Sequence, residues 1–282
     1  YWFYPKQLND LYKLRSSILS VVDSEKYLDF FLCAFSSILK GCSKWLTKSI
    51  KPQIDPQKQA KNVWEEFCKQ ILKMERANET SEVVEENNAE ILTQSVLDLS
   101  ITEPFVDLLV TSPPYVTSYE YADIHQLSTL WLDYSPDYKH FRTGSIGSLY
   151  HSCDLRFNVP KLNQSGLTVV MQMYSIDKKQ AKAIAQYYVN MQAVVKKICN
   201  IVKKGGACLF VIGNTEYKSV KIDNARHLAE SLLNEGFYNV TIKRRKILNK
   251  ILTPYRDKNG KFSSDKTSRK IYSEEFLIFA QL

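Results

Sequence analysis

The hydrophobic period of this 282-residue chain changes near residue 89, and this change limits the folds that the chain can adopt. Before it, apolar residues recur at helical spacing, as in "PKQLNDLYKLRSSILSVV". After it, short β-rich runs alternate with helical patterns. The sequence therefore predicts a helical region over residues 1–78, an acidic linker over 79–88 and an α/β domain over 89–282.

Five strands are predicted after the change of period, in "AEILTQSVLDL", "FVDLLVTS", "GACLFVIGN", "YNVTIKRRKIL" and "EEFLIFAQL". Helical patterns fall between them, over about 119–132, 178–202 and 224–234. We therefore expect a sheet with helices on both faces. The last two strands have no helical pattern between them, so they are expected to form an antiparallel pair at one edge.

Two further segments stand out by composition. Residues 133–172 form an irregular stretch, and long irregular loops in a compact domain are usually functional or disordered. Residues 240–270 hold eleven Lys or Arg against two Asp, so with a net charge of +8 the rest of the chain is close to neutral. Such a basic segment attracts polyanions, although a solvated lysine-rich loop is the simpler alternative.

Several classes of protein are disfavoured by composition. The longest apolar runs, such as "ACLFVI", have six residues or fewer, whereas a membrane-spanning helix needs ~20. The six cysteines lie far apart and form no C-x-x-C pair or zinc-type spacing. We expect free thiols, a cytoplasmic protein and no metal site.

The run "DLLVTSPPY" ends a predicted strand in a loop that can carry chemistry. Loops at the carboxyl ends of parallel strands border the crevice where α/β sheets bind ligands. Pro113 and Pro114 stiffen this loop and bring no N–H groups, which leaves carbonyl acceptors beside the hydroxyl of Ser112 and the ring of Tyr115. Acceptors next to an aromatic face suit an exocyclic amino group on a flat base, although paired prolines also end strands without any further role.

The same run resembles the catalytic motif of the amino-group DNA methyltransferases, which is Asp/Asn/Ser-Pro-Pro-aromatic. Serine in first place is most typical of the N4-cytosine members. The likeness covers roughly residues 89–282 and implies a Rossmann-like methyltransferase sheet. It also implies that Ser112 and the Pro113 carbonyl bind the target amine, that Tyr115 stacks on a flipped base, and that this amine attacks the methyl group of S-adenosylmethionine directly.

One part of the family pattern is missing. The family binds S-adenosylmethionine mainly through a glycine-rich turn after its first strand, but this chain has no G-x-G, and only Gly41 precedes Gly144. The resemblance therefore implies an incomplete sheet, and a second polypeptide that carries the glycine-rich motif is expected to complete it. The remaining cofactor contacts implied by the resemblance are Ser95, at the turn after the third family strand, and Thr111.

DNA is the expected substrate, in a restriction-modification or defence system. The irregular stretch 133–172 and the basic segment 240–270 are the expected target-recognition elements. Their candidate nucleic-acid contacts are Arg142, Lys243, Arg244, Arg245, Lys246 and Arg256. Two alternatives stay open: an N6-adenine DNA or RNA base methyltransferase, and a non-catalytic DNA-binding or regulatory subunit.

Overall fold

The chain divides into two compact units in a computed structural model. The helical unit comprises Tyr1–Ile91 and Tyr121–Phe141, and the sheet unit comprises Leu92–Glu120 and Arg142–Leu282. The structure describes residues 1–80, 89–101, 103–116, 119–150, 153–247, 255–256, 263, 265, 267, 269–270 and 274–282. Most of the predicted linker and much of the basic segment lie outside the described residues.

The helical unit contains the predicted N-terminal helices and a further pair from later in the chain. Pro5 begins the first helix, where its missing N–H costs nothing, and the Asn62 side chain caps the third by accepting from the backbone N–H groups of Trp64 and Glu65. The helices are α1 (Pro5–Val21), α2 (Glu25–Ile38), α3 (Val63–Glu79), α4 (Tyr121–Ile124) and α5 (Gln126–Trp131).

The core of the helical unit explains why its boundary differs from the predicted one. Leu11 of α1, Phe35 of α2 and Leu127 of α5 belong to one buried cluster. The Trp2 indole stacks on Trp45 at 5.0 Å between ring centroids and donates a 3.0 Å hydrogen bond to the Gln126 side chain. Residues 121–141 therefore pack with the N-terminal helices, although their sequence position had placed them in the α/β domain.

The sheet unit is built on one mixed sheet. Its strands are β1 (Val106–Thr111), β2 (Val202–Ile212), β5 (Tyr238–Lys246) and β8 (Glu274–Gln281), in the order β1-β2-β8-β5. The β1 and β2 strands are parallel, and β8 is antiparallel to both of its neighbours. This arrangement confirms the predicted closing antiparallel pair. Two small ladders are β3 (Thr215–Tyr217) with β4 (Val220–Ile222), and β6 (Tyr255–Arg256) with β7 (Arg269–Lys270).

Five more helices follow in the part of the chain that the structure describes. They are α6 (His140–Gly144), α7 (Leu155–Asn158), α8 (Gln164–Tyr174), α9 (Lys178–Ile201) and α10 (Asn224–Asn234). The last two match the predicted helices. Within the part of the chain that the structure describes, no helix is both long and apolar enough to cross a membrane.

Among the described residues of the sheet unit, only one face of the sheet is covered. Phe210 of β2 and Ile278 of β8 are fully buried in the same core as Ile184 of α9 and Leu228 of α10. The side chains that alternate with them point to the opposite face, where Leu108 and Val110 of β1 are each 61% exposed. The expectation of helices on both faces is therefore wrong for the described residues.

Two other predictions from the sequence are also wrong. The segment "AEILTQSVLDL" is not a strand: it has no strand pairing, Ile91 is 85% exposed, and Val96–Asp98 forms a short 3-10 helix. An extended segment needs a neighbouring strand to satisfy its backbone, and none pairs with it among the described residues. The irregular stretch 133–172 also contains most of α8, which buries Val170 and Met173.

A buried polar cluster joins α8, α9 and α10. The Asn163 side chain donates to the His227 carbonyl at 2.9 Å and to the Ser231 hydroxyl at 3.0 Å. The His227 ring stacks on Tyr188 at 3.9 Å between centroids, and its Nε2 lies 3.3 Å from Gln192 Oε1. Burial lowers the pKa of His227 to about 3, so the imidazole is neutral in the folded protein.

This histidine predicts a loss of stability in mild acid. Its pKa is about 3 in the folded state and returns to an ordinary value of about 6.5 on unfolding. Below pH 6.5 the unfolded state therefore binds a proton that the folded state does not bind, and this favours unfolding. Between pH 7 and pH 5 the free energy of unfolding should fall by about 2 kcal/mol from this group alone. Urea titrations of wild type and His227→Phe should show the difference, and parallel pH curves for the two proteins would contradict it.

Candidate active site

The loop Ser112-Pro113-Pro114-Tyr115 follows directly on the carboxyl end of β1. Because β1 and β2 are parallel, their carboxyl ends lie side by side at one end of the sheet. Pro113 is buried, Ser112 is exposed, and Pro114 and Tyr115 are half-buried. The loop is thus anchored by one proline and presents the serine to solvent.

The Ser112 hydroxyl has a defined orientation. Its Oγ donates a 3.0 Å hydrogen bond to the carbonyl of Val211, in the neighbouring strand β2. A hydroxyl has one proton and two lone pairs, so a serine that has committed its proton can act only as an acceptor toward a ligand. This geometry leaves Ser112 suited to accept a hydrogen bond from an amino group.

Tyr115 packs against a glycine that sequence reasoning did not connect with the site. A Cβ at Gly213 would lie 3.1 Å from Tyr115 Cε2, which is closer than side chains normally approach. Asn224 is 1% exposed and its Nδ2 donates a 2.9 Å hydrogen bond to the Gly213 carbonyl. The only sequence signal is the "GN" that follows the apolar run of β2, and nothing in it points to Asn224.

The glycine-containing segment after α6 borders the loop. Gly147 has a φ of +88°, and a Cβ there would lie 3.4 Å from the Tyr115 carbonyl oxygen. The Ser148 hydroxyl donates a 3.0 Å hydrogen bond to Glu120. The Arg142 guanidinium lies 4.6 Å from the centroid of the Tyr150 ring, which is a cation–π arrangement.

The two candidate cofactor residues lie in separate elements. Ser95 caps the 3-10 helix Val96–Asp98, where its hydroxyl accepts from the Leu97 N–H at 3.2 Å, and the family strand on which its predicted role depends is absent. Thr111 is the half-buried last residue of β1. The described residues around Ser112 include no glycine-rich turn of the kind that the resemblance implies for S-adenosylmethionine.

The basic residues of β5 reach the level of the Ser112–Tyr115 loop. Through the register of the sheet, Val211 pairs with Leu277 of β8, and Leu277 pairs with Lys243. Because Ser112 binds the Val211 carbonyl, Lys243 lies three strand spacings away from it, about 14 Å. Lys246 lies three residues after Lys243, at the carboxyl end of β5 and at the same end of the sheet as Ser112.

Two of the predicted phosphate contacts form ion pairs with acidic residues of β8. Arg244 lies 3.7 Å from Glu274, and Arg245 forms an ion pair with Glu275. Lys243 and Lys246 form no ion pair within the described part of the chain. Arg256 lies in β6, and its side chain is outside the described residues.

Two of the cysteines are buried thiols with raised pKa values. All six are free, and Cys42 and Cys208 are fully buried. Burial raises the pKa of each of these two thiols to about 11, so both stay protonated near neutral pH.

Comparison with known proteins finds a distant similarity to a methyltransferase. No protein-family model matches the chain. The chain is 23% identical over 272 residues to the Type II methyltransferase M.MvaI of Kocuria varians, a match that covers 89% of this chain and 60% of the relative. The chain therefore spans about three-fifths of the relative's length. Its mixed α/β sheet fits a methyltransferase-like fold.

Proposed function

We propose that this chain carries the catalytic loop of an S-adenosylmethionine-dependent DNA methyltransferase that methylates the exocyclic amine of a flipped base, with cytosine N4 as the preferred target. The observation that carries the proposal is the Ser112 hydroxyl, which donates to Val211 and so faces a ligand as an acceptor. The likeness to a Type II methyltransferase supports it.

The chain's own residues would bind and activate the amine. Ser112 and the Pro113 carbonyl accept its two N–H bonds, which localises a nitrogen lone pair that is otherwise delocalised into the ring. Tyr115, backed by Gly213, stacks on the base that has left the duplex. The nitrogen then becomes a better nucleophile, and no covalent enzyme intermediate is needed.

The methyl donor needs residues that this chain does not supply. S-adenosylmethionine would provide an electrophilic methyl group when bound. Ser95 and Thr111 remain the proposed contacts from this chain, and we propose that a second polypeptide with a glycine-rich turn provides the rest of the pocket.

The choice of target rests on residue types at the loop. Serine before the two prolines favours cytosine N4, while adenine N6, in DNA or RNA, is the alternative for the same acceptor chemistry. Lys243 and Lys246 are proposed as phosphate contacts, since neither forms an ion pair with a described carboxylate and both lie toward the same end of the sheet as the loop, with Glu274 as the cross-strand partner of Lys246. A restriction-modification or defence system is the proposed setting.

Methyl transfer from radiolabelled S-adenosylmethionine tests this function. The chain alone, and the chain co-purified with polypeptides encoded beside it, are each incubated with duplex DNA and with RNA. We expect label in DNA only when a polypeptide with a glycine-rich turn is present. Label in RNA alone would favour the RNA alternative, and DNA binding without any transfer in every combination would favour a non-catalytic subunit.

A further inference from the structure

The positive charge of the N-terminal helices is concentrated in one short segment. Residues 40–61, which lie between α2 and α3, hold six lysines against one acidic residue, Asp55. The rest of residues 1–80 hold seven Lys or Arg against eight Asp or Glu, so their charges nearly cancel. The Asp55 carboxylate accepts from the backbone N–H of Gln57 at 3.0 Å, within its own turn. One carboxylate therefore stands against six ammonium groups in this segment.

Two of these lysines hold the backbone of the segment itself. Lys40 Nζ donates to the Ser49 carbonyl at 2.9 Å. Lys58 Nζ donates to the carbonyls of Lys40 and Trp45, at 2.9 and 2.7 Å. Burial lowers the pKa of both amines, and the nearby charge of Lys40 lowers the pKa of Lys58 further. The lysines of this segment therefore crowd one another.

These contacts fix a short loop between the two lysines. Trp45 and Ile54 form an isolated antiparallel bridge that closes residues 46–53, which we call the lysine loop. The Trp45 side chain is buried at the base of this loop, where its indole N–H donates to the Ser49 carbonyl at 3.1 Å. A loop that is held in this way loses little conformational entropy when it binds a partner.

The lysine loop presents two ammonium groups to solvent. Lys48 and Lys51 are both exposed, and neither side chain forms an ion pair or a hydrogen bond among the residues that the structure describes. Lys61, by contrast, pairs with Glu66 at 2.6 Å. Exposed lysines with a neighbouring hydroxyl, here that of Thr47, are the groups that proteins use to contact DNA phosphates.

From the lysine loop we infer that the helical unit makes its own contact with the phosphate backbone of duplex DNA, through Lys48 and Lys51. The inference rests on the proposed function, because DNA is the polyanion on which that function acts. The contacts expected from the sequence all lie outside residues 1–80, so this site is additional to them. Each lysine that binds a phosphate releases condensed counterions, which adds about 0.9 to the dependence of log affinity on log salt concentration.

A matched pair of double variants tests the contact in the full chain. Lys48→Ala/Lys51→Ala removes two charges from the lysine loop. Lys26→Ala/Lys73→Ala removes two charges from exposed lysines of α2 and α3 that also form no ion pair among the described residues. The probes are a fluorescently labelled DNA duplex and an RNA hairpin of similar length, and binding is followed by fluorescence anisotropy over a range of salt concentrations.

The lysine-loop variant should bind the duplex at least about tenfold more weakly at roughly 0.1 M salt, and its salt dependence should fall by about 1.8. The control variant should bind nearly as wild type does, because charges more than ~10 Å from the DNA are screened at that salt concentration.

The outcomes separate this inference from the proposed function. Equal weakening by both double variants would indicate an effect of net charge alone and would overturn the inference. Unchanged binding by the lysine-loop variant, or a loop-dependent preference for the RNA hairpin over the duplex, would overturn it as well. The proposed function stands in any of these cases if methyl transfer to DNA persists. Loop-dependent DNA binding without methyl transfer in any combination of polypeptides would instead overturn the proposed function and leave the contact in place.

Discussion

Replacing Ser112 with alanine in the active complex should reduce the rate of methyl transfer by about two orders of magnitude or more. The hydroxyl is fixed by its 3.0 Å hydrogen bond to the Val211 carbonyl and is expected to accept from the reacting amine. Loss of one preorganised hydrogen bond to a reacting group typically costs about 10²–10³ in rate. Single-turnover kinetics with labelled cofactor would measure the chemical step without interference from product release.

Two companion variants test the reason for that loss. Asparagine at position 112 can donate to the Val211 carbonyl and accept from the amine with the same side chain, so Ser112→Asn should keep more activity than Ser112→Ala. Ser175→Ala removes another exposed hydroxyl that donates to a backbone carbonyl, that of Gln172 at 2.8 Å, and should leave the rate unchanged. Equal losses in Ser112→Asn and Ser112→Ala would show that the acceptor role is not what the serine provides.

Replacing Tyr115 with alanine should have the second largest effect. Stacking on an unpaired base is worth about 1–3 kcal/mol, so methyl transfer at subsaturating DNA should fall roughly 5- to 150-fold. The ring also packs against Gly213 and the main core of the sheet unit, so the variant should lose some stability as well. Thermal unfolding measured beside the kinetics separates the two effects.

The phenylalanine variant isolates the role of the ring. Tyr115→Phe keeps the aromatic face and its contact with Gly213, and it should retain most of the transfer rate. An oligonucleotide with 2-aminopurine at the target position reports base flipping through the rise in its fluorescence when the base leaves the stack. If Tyr115→Ala flips and methylates as well as wild type, the ring has no part in holding the base.

The long regular elements could be predicted from the sequence. The apolar spacing of α9 and α10 and the β-rich runs of β2, β5 and β8 are local signals, and the structure places these elements where the patterns did. The segment "AEILTQSVLDL" shows the limit of such signals. A strand is stable only beside another strand, and no local pattern states whether that neighbour exists.

The site likewise combines features that neighbouring residues reveal with features that depend on residues far along the chain. The stiff Ser-Pro-Pro-Tyr loop could be recognised from four consecutive residues. The acceptor orientation of Ser112 depends on Val211, which lies 99 residues later in the chain. The position of the Tyr115 ring depends on Gly213, whose carbonyl accepts a hydrogen bond from Asn224. The partial neutralisation of the basic strand likewise depends on β8, which pairs Glu275 with Arg245 and sets Glu274, the register partner of Lys246, 3.7 Å from Arg244.

The most direct test of the central claim is the chemical position of the transferred methyl group. DNA treated with the complex and S-adenosylmethionine carrying a trideuterated methyl group would be digested to nucleosides and analysed by mass spectrometry. We predict trideuterated N4-methylcytosine with the wild-type complex and its near absence with Ser112→Ala. Label on a cytosine ring carbon, or the same yield of labelled nucleoside with Ser112→Ala, would contradict the account.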